Sequence, residues 1–504
     1  MTQPHVACRT LQGRALFSLL FLASPGLMAA ENNAAKNTKD VEDTITVVAD
    51  GRQQNATSGY QPLSSSTATL TSMPLLDIPQ VVNTVSDRVL EDQHATSLDE
   101  ALYNVANVVQ TNTLGGTQDA FTRRGFGANR DGSIMTNGLR TVLPRSFNAA
   151  TERVEVLKGP ASTLYGILDP GGLINVVTKR PEHQFSGSVS ATSSSFGGGT
   201  GSFDVTGPIE GTNLAYRLIG EYQNEDYWRN FGKNKSSFIA PSLSWFGDSA
   251  TITASYSHRD YSAPFDRGTI FDLDTGHAVN VDRKTRFDEA FNITDGYSDI
   301  AQLNAEYRLN SAWTARFDYS YSQDHYNDNQ ARVMAYDSAT GNLTRRVDGT
   351  HGSTQKMHST RADLQGNVVI GGFYNELLTG VAYENYDLLR TDMLRCKNVK
   401  GFNIYHPVYG TLDTCNTVSA ADSDQRIKQE SYATYLQDAL YLTDNWIAVA
   451  GVRYQYYTQY AGKGRPFNVN TDSRDEKWTP KAGLVYKVTP NVSLFANVAQ
   501  SFMP

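Results

Sequence analysis

Five arginines, Arg123, Arg124, Arg130, Arg140 and Arg145, fall within 23 positions, and Asp131 is the only acid inside that stretch. Guanidinium groups present planar N–H forks that match carboxylates and other oxygen-rich ligands. A basic patch also raises the local concentration of anionic or strongly polarised molecules. Further along, Tyr227, Trp228, Tyr261 and Phe265 stand just beyond segments with strand patterning. Aromatic walls beside a few polar groups suit a ligand with apolar parts around a polar centre. The alternative for the arginines is structural pairing inside a folded domain. For the aromatics it is lipid contact or loop packing. His258 and His325 lie near the ends of patterned segments, where a lone histidine is better suited to hydrogen bonding than to metal ligation. Nothing reads as a catalytic nucleophile–base pair or a metal site. Gly197-Gly198-Gly199-Thr200-Gly201 lacks the Lys-Ser/Thr ending of a phosphate-binding loop, so it reads as a turn.

What must position these residues is a chain of 504 residues, 39% of them hydrophobic and 27 of them Tyr. Mean hydropathy is -0.42, and no run approaches the roughly 18 apolar residues of a membrane helix. Tyr-, Gly- and Ser-rich sequence of weak hydropathy suits a transmembrane β-barrel, whose strands show lipid only every second residue. The net charge of -8 counts against nucleic acid as a partner.

The first 30 residues read as a signal peptide. Arg9 and Arg14 precede the apolar run Ala15 to Ala23, Pro25-Gly26 breaks it, and Met28, Ala29 and Ala30 offer small residues for cleavage. Residues 31–60 are a polar tether with one β-prone stretch, Asp43-Thr44-Ile45-Thr46-Val47-Val48-Ala49, suited to adding a strand to a partner's sheet edge. Residues 61–181 form a mixed domain. A strand is expected at Ile78 to Val85, and a helix at Ser97 to Val105 with Ser97 and Glu100 as a capping box. Strands are also expected at Arg153 to Leu157 and Leu173 to Thr178.

From residue 182 onward the period is two. Trp313, Ala315, Phe317, Tyr319 and Tyr321 alternate with Thr314, Arg316, Asp318, Ser320 and Ser322, and Leu214 to Gln223, Thr251 to Ser257, Trp446 to Tyr457 and Val492 to Val498 behave alike. Tight turns are expected at residues 210–213, 246–249, 309–312, 370–372, 442–445 and 488–491. Long polar stretches at 262–294, 325–352 and 392–427 lie between them and read as loops. Short turns at one end and long loops at the other are the asymmetry of an outer-membrane barrel. About 13 strands are expected in residues 182–504, an odd number where such barrels close with an even one. A partial barrel lacking its last strands is therefore expected. Of three cysteines, Cys8 falls in the leader, while Cys396 and Cys415 lie 19 positions apart in polar sequence. In an exported protein that pair favours a disulfide over two free thiols.

Several motifs together resemble the TonB-dependent siderophore receptors, ferrichrome/ferrioxamine-type. Asp43 to Ala49 looks like the TonB box, Pro79 to Val85 like the early plug strand, and Arg124-Gly125-Phe126 like the family's Arg-Gly-Phe element. Glu152 to Pro160 through Leu164-Tyr165-Gly166 resembles the most recognisable plug stretch, and Pro170 to Pro181 looks like its end. The resemblance implies an antiparallel transmembrane β-barrel, 22-stranded in the family, with a mixed α/β plug in its lumen. It implies a receptor in the cell outer membrane, without enzymatic activity or a covalent cofactor, that imports a ferric siderophore, hydroxamate type favoured. Its partners would be TonB with the inner-membrane energising complex, outer-membrane lipid and lipopolysaccharide. The position of Arg140-Thr141 after Asn137-Gly138-Leu139 is similar to a ligand-contacting plug loop. Arg124, Arg140, Thr141, Arg145, Tyr227, Trp228, Tyr261 and Phe265 are thus the candidate ligand contacts. Arg124 and Lys158, with Glu155, would lock the plug to barrel glutamates. Alternatives are a non-functional remnant of such a receptor and a passive porin or adhesin.

Overall fold

The computed structural model describes residues 59–60, 62–127 and 132–504. The expected signal peptide, the stretch Asp43 to Ala49 and Arg130 lie outside the described residues.

The N-terminal domain is built on a five-stranded sheet in the order Val81–Val85, Thr151–Lys158, Gly172–Thr178, Ile134–Thr136, Leu139–Arg140. Its two long central strands are almost continuously buried, which is what a sheet covered on both faces requires of its sequence. On one face Val154, Val156, Ile174 and Val176 pack beneath the helices Asp87–Asp92 and Leu98–Leu102. On the other, Leu157 and Leu173 meet the short helix Ser162–Tyr165, the segment around Leu70 and Met73, and barrel residues Leu378, Ile447, Val449 and Val485.

The helix at Ser97 is shorter than its pattern predicts. Ser97 Oγ caps the Glu100 N–H at 3.5 Å, but the Glu100 carboxylate accepts from Thr96, at 2.7 Å from N and 2.8 Å from Oγ1, so the box closes one residue early. The first strand starts at Val81 rather than Ile78 because Pro79, without an N–H, cannot join the ladder.

Among the described residues, thirteen strands form one antiparallel sheet from Ser186–Ser193 to Val492–Ala499, each pairing with the next in sequence. The two end strands do not pair with each other. All six expected tight turns join consecutive strands. The inside–outside phase is also as expected. Phe317, Ile252, Trp446 and Leu494 are exposed on the outer face, while Arg217, Thr253, Ser320, Ser322 and Arg453 are buried toward the plug.

The polar stretches behave differently from the expectation. Trp313–Asp337 and Asn342–Ile370 run as one hairpin straight through 325–352, with a turn at 338–341 only. Phe373–Asn403 likewise continues past residue 392. Beyond the apolar band, roughly 25 Å tall, a strand needs no lipid face. Polar sequence therefore keeps its ladder there while losing the alternation by which it could be read. Irregular chain remains at residues 265–292 and 404–424. Cys396 and Cys415 are joined by a disulfide, with Cα atoms 5.7 Å apart, and Cys415 packs with Leu394, Leu412, Val347 and Ala331. The bridge holds the second irregular segment against the hairpin.

The segment 265–292 is anchored by buried polar groups. Arg345 reaches Glu289 at 2.8 Å, Arg286 reaches Asp288 at 2.6 Å, and the Asn292 side chain bonds both carbonyl and N–H of Ala331. Burial pushes the Asp288 carboxyl up to about 6, and the Arg286 contact only partly opposes this. The folded form therefore binds a proton more tightly than the unfolded chain. The stability it contributes is full below the unfolded value of 3.8 and is lost as pH rises through about 6. A shift of this size corresponds to about 3 kcal/mol. Hydrogen exchange of residues 285–292 is expected to be slower at pH 5 than at pH 7.5 after correction for intrinsic rates. Asp288→Asn should remove that difference, and an equal pH response in the variant would refute the assignment.

Candidate ligand-binding site

The strands Ile134–Thr136 and Leu139–Arg140 are joined by Asn137-Gly138, both at positive φ (53° and 75°), the two-residue turn that Asn-Gly sequences favour. The turn is held from three sides. Gly138 N donates to Asn175 Oδ1 at 2.8 Å, Asn137 Nδ2 donates to Gln302 Oε1 of the barrel at 2.7 Å, and Arg361 of the barrel donates to the Gly138 carbonyl at 3.4 Å. Asn175 Nδ2 in turn donates to Thr67 Oγ1 at 3.0 Å, and Thr67 donates to Glu155 at 2.6 Å. Two side chains thus connect the turn to the segment that enters the plug.

Arg140 and Thr141, next along, line a cavity of about 330 Å³ between the plug and the barrel wall, within the size range of small-molecule pockets. The wall contributes Gln355, Met357, Glu384, Tyr386, Gln429 and Gln459, none of which the sequence reading singled out. Their only signal was phase. Glu384 and Tyr386 alternate with Val381 and Tyr383, which marks them as lumen-facing.

Three of the five arginines of the expected basic apex are paired. Arg140 is consumed by Glu384 at 3.4 Å and by the carbonyls of Gly132 at 2.9 Å and Ile167 at 2.7 Å. Gly132 has a φ of 71°, which favours glycine, and a Cβ there would displace the Arg140 guanidinium, 2.3 Å away. Arg123 is buried against Asp169 at 3.3 Å, and Arg145 pairs with Asp119 at 3.0 Å. The charged side chains lining the cavity, Asp119, Arg123, Arg140 and Glu384, therefore sum to zero. The other polar groups lining it are neutral: four glutamine amides, of which Gln355 accepts from the Tyr386 hydroxyl at 3.0 Å, the Thr141 and Ser431 hydroxyls and the Met357 thioether. Gln118 Oε1 is buried there with no hydrogen-bond partner among the described residues.

The remaining candidates are dispersed. Arg124 is exposed, with φ of 51°, beside Gly159 and away from the cavity. The strand Phe121–Arg123 alternates, so Arg123 points in and Arg124 turns out. Phe265 is fully buried, its ring filling the space where Gly115 would carry a Cβ. Tyr261 donates to Asp324 at 2.9 Å, and Tyr227 to Asp266 at 3.1 Å. Tyr227 and Trp228 line a separate, open recess of about 770 Å³ near Lys233 and Lys284. His258 bonds Asp299 at 2.8 Å and His325 bonds Thr354 at 2.9 Å.

The expected lock also takes another form. Glu155 accepts from Ser65, Thr67 and Arg153, all within the plug, at 2.6, 2.6 and 2.7 Å. Among the described residues neither Arg124 nor Lys158 pairs with a barrel carboxylate. Burial and the neighbouring Arg124 charge hold the Lys158 ammonium below its usual range. Plug and barrel are instead joined by ion pairs of Arg140 with Glu384 (3.4 Å), Lys179 with Asp204 (3.0 Å) and Lys487 with Asp77 (2.7 Å).

Residues 74–173 match the TonB-dependent receptor plug domain, and residues 238–504 match the TonB-dependent receptor-like β-barrel. A metal-pseudopaline receptor of Pseudomonas aeruginosa is 30% identical over 495 residues, 96% of this chain and 68% of the relative. A catecholate siderophore receptor of Escherichia coli K12 is 26% identical over 559 residues, 98% of this chain and 70% of the relative. The crystal structure of the ferric-catecholate import receptor of that bacterium, in its open form, superposes with a TM-score of 0.74 at 23% identity, covering 86% of this chain and 71% of the other.

Proposed function

This chain belongs to the TonB-dependent receptors, outer-membrane transport proteins for siderophores or metal complexes rather than enzymes, and we propose that its cargo is a ferric siderophore of hydroxamate type. The observation that carries this reading is the compensated charge of the 330 Å³ cavity. A trianionic ferric catecholate centre would have to give up its water for a site with no uncompensated cation, a costly transfer. A ferric trishydroxamate is neutral at its iron centre and asks only for amide, hydroxyl and apolar contacts, which Gln118, Gln355, Gln429, Tyr386 and Met357 offer. Arg140 acts as a positioning residue that shapes the cavity, and Thr141 as a direct contact. Import runs through a TonB box at Asp43 to Ala49, which pairs with TonB as an added strand. Contact with outer-membrane lipid and lipopolysaccharide belongs to the same reading and is supported by the outward Tyr and Trp side chains.

Titration of the purified chain with ferrichrome and with ferric enterobactin, followed by tryptophan fluorescence, tests the ligand class. Ferrichrome is expected to bind at least about tenfold more tightly, a difference of about 1.4 kcal/mol. Gln429→Leu combined with Tyr386→Phe should weaken ferrichrome by a similar factor. Tighter binding of the catecholate complex would overturn the reading.

A further inference from the structure

Above the neutral cavity, on the same strands Asn342–Ile370 and Phe373–Asn403, lies a second cavity of about 170 Å³ with a different electrical character. Four of its lining residues are arginines, Arg267, Arg332, Arg390 and Arg395, and two are acids, Asp328 and Asp348. The acids are already engaged. Asp348 is gripped by both ends of Arg346, at 2.7 and 2.9 Å, before Arg332 reaches it at 3.2 Å. Asp328 accepts from the Thr350 N–H at 2.9 Å and from Gln330 at 3.3 Å. Arg395 has its carboxylate partner, Asp422, at 3.6 Å.

The other two arginines are held by neutral groups. Arg267 donates to Gln330 Oε1 at 3.1 Å, with its guanidinium 5.1 Å above the Phe265 ring, and Arg390 donates to Gln425 Oε1 at 3.0 Å. Amides and an aromatic face fix the two guanidiniums in place without neutralising them and leave N–H donors unused. Burial and the Arg332 charge hold the Arg267 guanidinium below its usual range, and the Asp348 and Asp328 carboxylates only partly oppose them. Counting Arg346, five guanidiniums here share three carboxylates, Asp328, Asp348 and Asp422, and a surplus of positive charge at one cavity suits an anion.

We propose that Arg267, Arg332 and Arg390 form a separate anion station above the neutral cavity that takes a carboxylate group. It rests on the transport reading only in this respect: the carboxylate would be carried by the chelate, as a charged arm on a neutral ferric centre. The two cavities then divide recognition, with the iron centre held below by neutral contacts and the arm held above by guanidinium forks, which match carboxylate geometry.

The test uses the full chain in detergent at low ionic strength, because salt screens such a site. Calorimetric titration with citrate, an iron-free tricarboxylate, probes the station alone. Binding is expected in the parent and at least tenfold weaker in Arg267→Gln combined with Arg390→Gln. Arg390→Lys alone, which keeps the charge, should retain most of it. Unchanged far-UV circular dichroism confirms that the variants are folded. A second titration compares ferrioxamine B, which carries an amine arm, with its N-succinyl derivative, which carries a carboxylate on the same iron centre. The succinylated form should bind about tenfold more tightly to the parent and no more tightly to the double variant. Absence of citrate binding in the parent, or equal binding in parent and variant, overturns the station. Citrate binding that depends on the arginines, together with no binding of either ferrioxamine, upholds the station and refutes the hydroxamate reading alone.

Discussion

Replacing Val47 by proline is expected to reduce uptake of a radiolabelled ferric chelate to the level of cells lacking TonB, while binding of the same chelate at the cell surface is unchanged. The reason is mechanical. The outer membrane holds no ATP, so work on the plug has to arrive through a peptide pulled from the periplasmic side. A peptide recognised as an added strand is held by its backbone N–H and C=O groups. Proline removes one donor and fixes φ, which central strand positions do not tolerate. Val47→Thr keeps the N–H and the branched side chain, so it should transport normally and serves as the control. Uptake that survives Val47→Pro would show that Asp43 to Ala49 is not the coupling peptide. Loss of surface binding along with uptake would show that the substitution had damaged the receptor rather than its coupling.

The barrel was legible in sequence where lipid imposes a rule, and only there. Within the apolar band each strand must show grease outward and polar groups inward, so Trp313 to Ser322 and Trp446 to Tyr457 announce both their strand character and their phase. Beyond the band the rule lapses, and His325 to Asp337 reads as part of a polar loop although it continues the same strand. The site was legible to a lesser degree for a related reason. A run of arginines gives the number of charges but not their partners, and the partners of Arg123, Arg145 and Arg140 come from 46, 26 and 244 positions away. Pairing turned a basic cluster into a neutral cavity. Arg267, Arg332 and Arg390, where positive charge is in surplus, lie instead on three different segments that no local pattern connects. Arg124 was singled out by its motif, whereas the alternation of Phe121–Arg123 buries its neighbour.

Glu155→Leu is expected to cost the plug about 3–5 kcal/mol, the range for removing one partner of a buried ion pair. The side chain is 1% exposed and accepts from Arg153, Ser65 and Thr67. Leucine would leave the Arg153 guanidinium buried with only Glu152, at 2.8 Å, and would strand two hydroxyls. The damage should not be spread evenly. Ser65 and Thr67 belong to the segment that enters the plug, and Thr67 also accepts from Asn175 and, through its carbonyl, from Tyr165. Hydrogen exchange of residues 63–71 should therefore quicken by about a hundredfold or more, since each 1.4 kcal/mol is a factor of ten. Barrel strands such as Trp446–Lys463, held by their own ladders, should keep their protection. Exchange in residues 63–71 that is unchanged would show that the carboxylate does not secure the segment. The same substitution bears on signalling. Asn175 links the turn beside the cavity to Thr67, and Glu155 fixes Thr67 in place, so a ligand that moves Asn137-Gly138 can shift the entry segment only while both ends of that chain are held. Asn175→Leu leaves Glu155 and its three partners intact and cuts the chain nearer the cavity. If ferrichrome binding speeds exchange of residues 63–71 in the parent but not in Asn175→Leu, the two side chains carry the coupling. An equal response in both would mean that coupling passes through the barrel contacts of the turn, Gln302 and Arg361, instead.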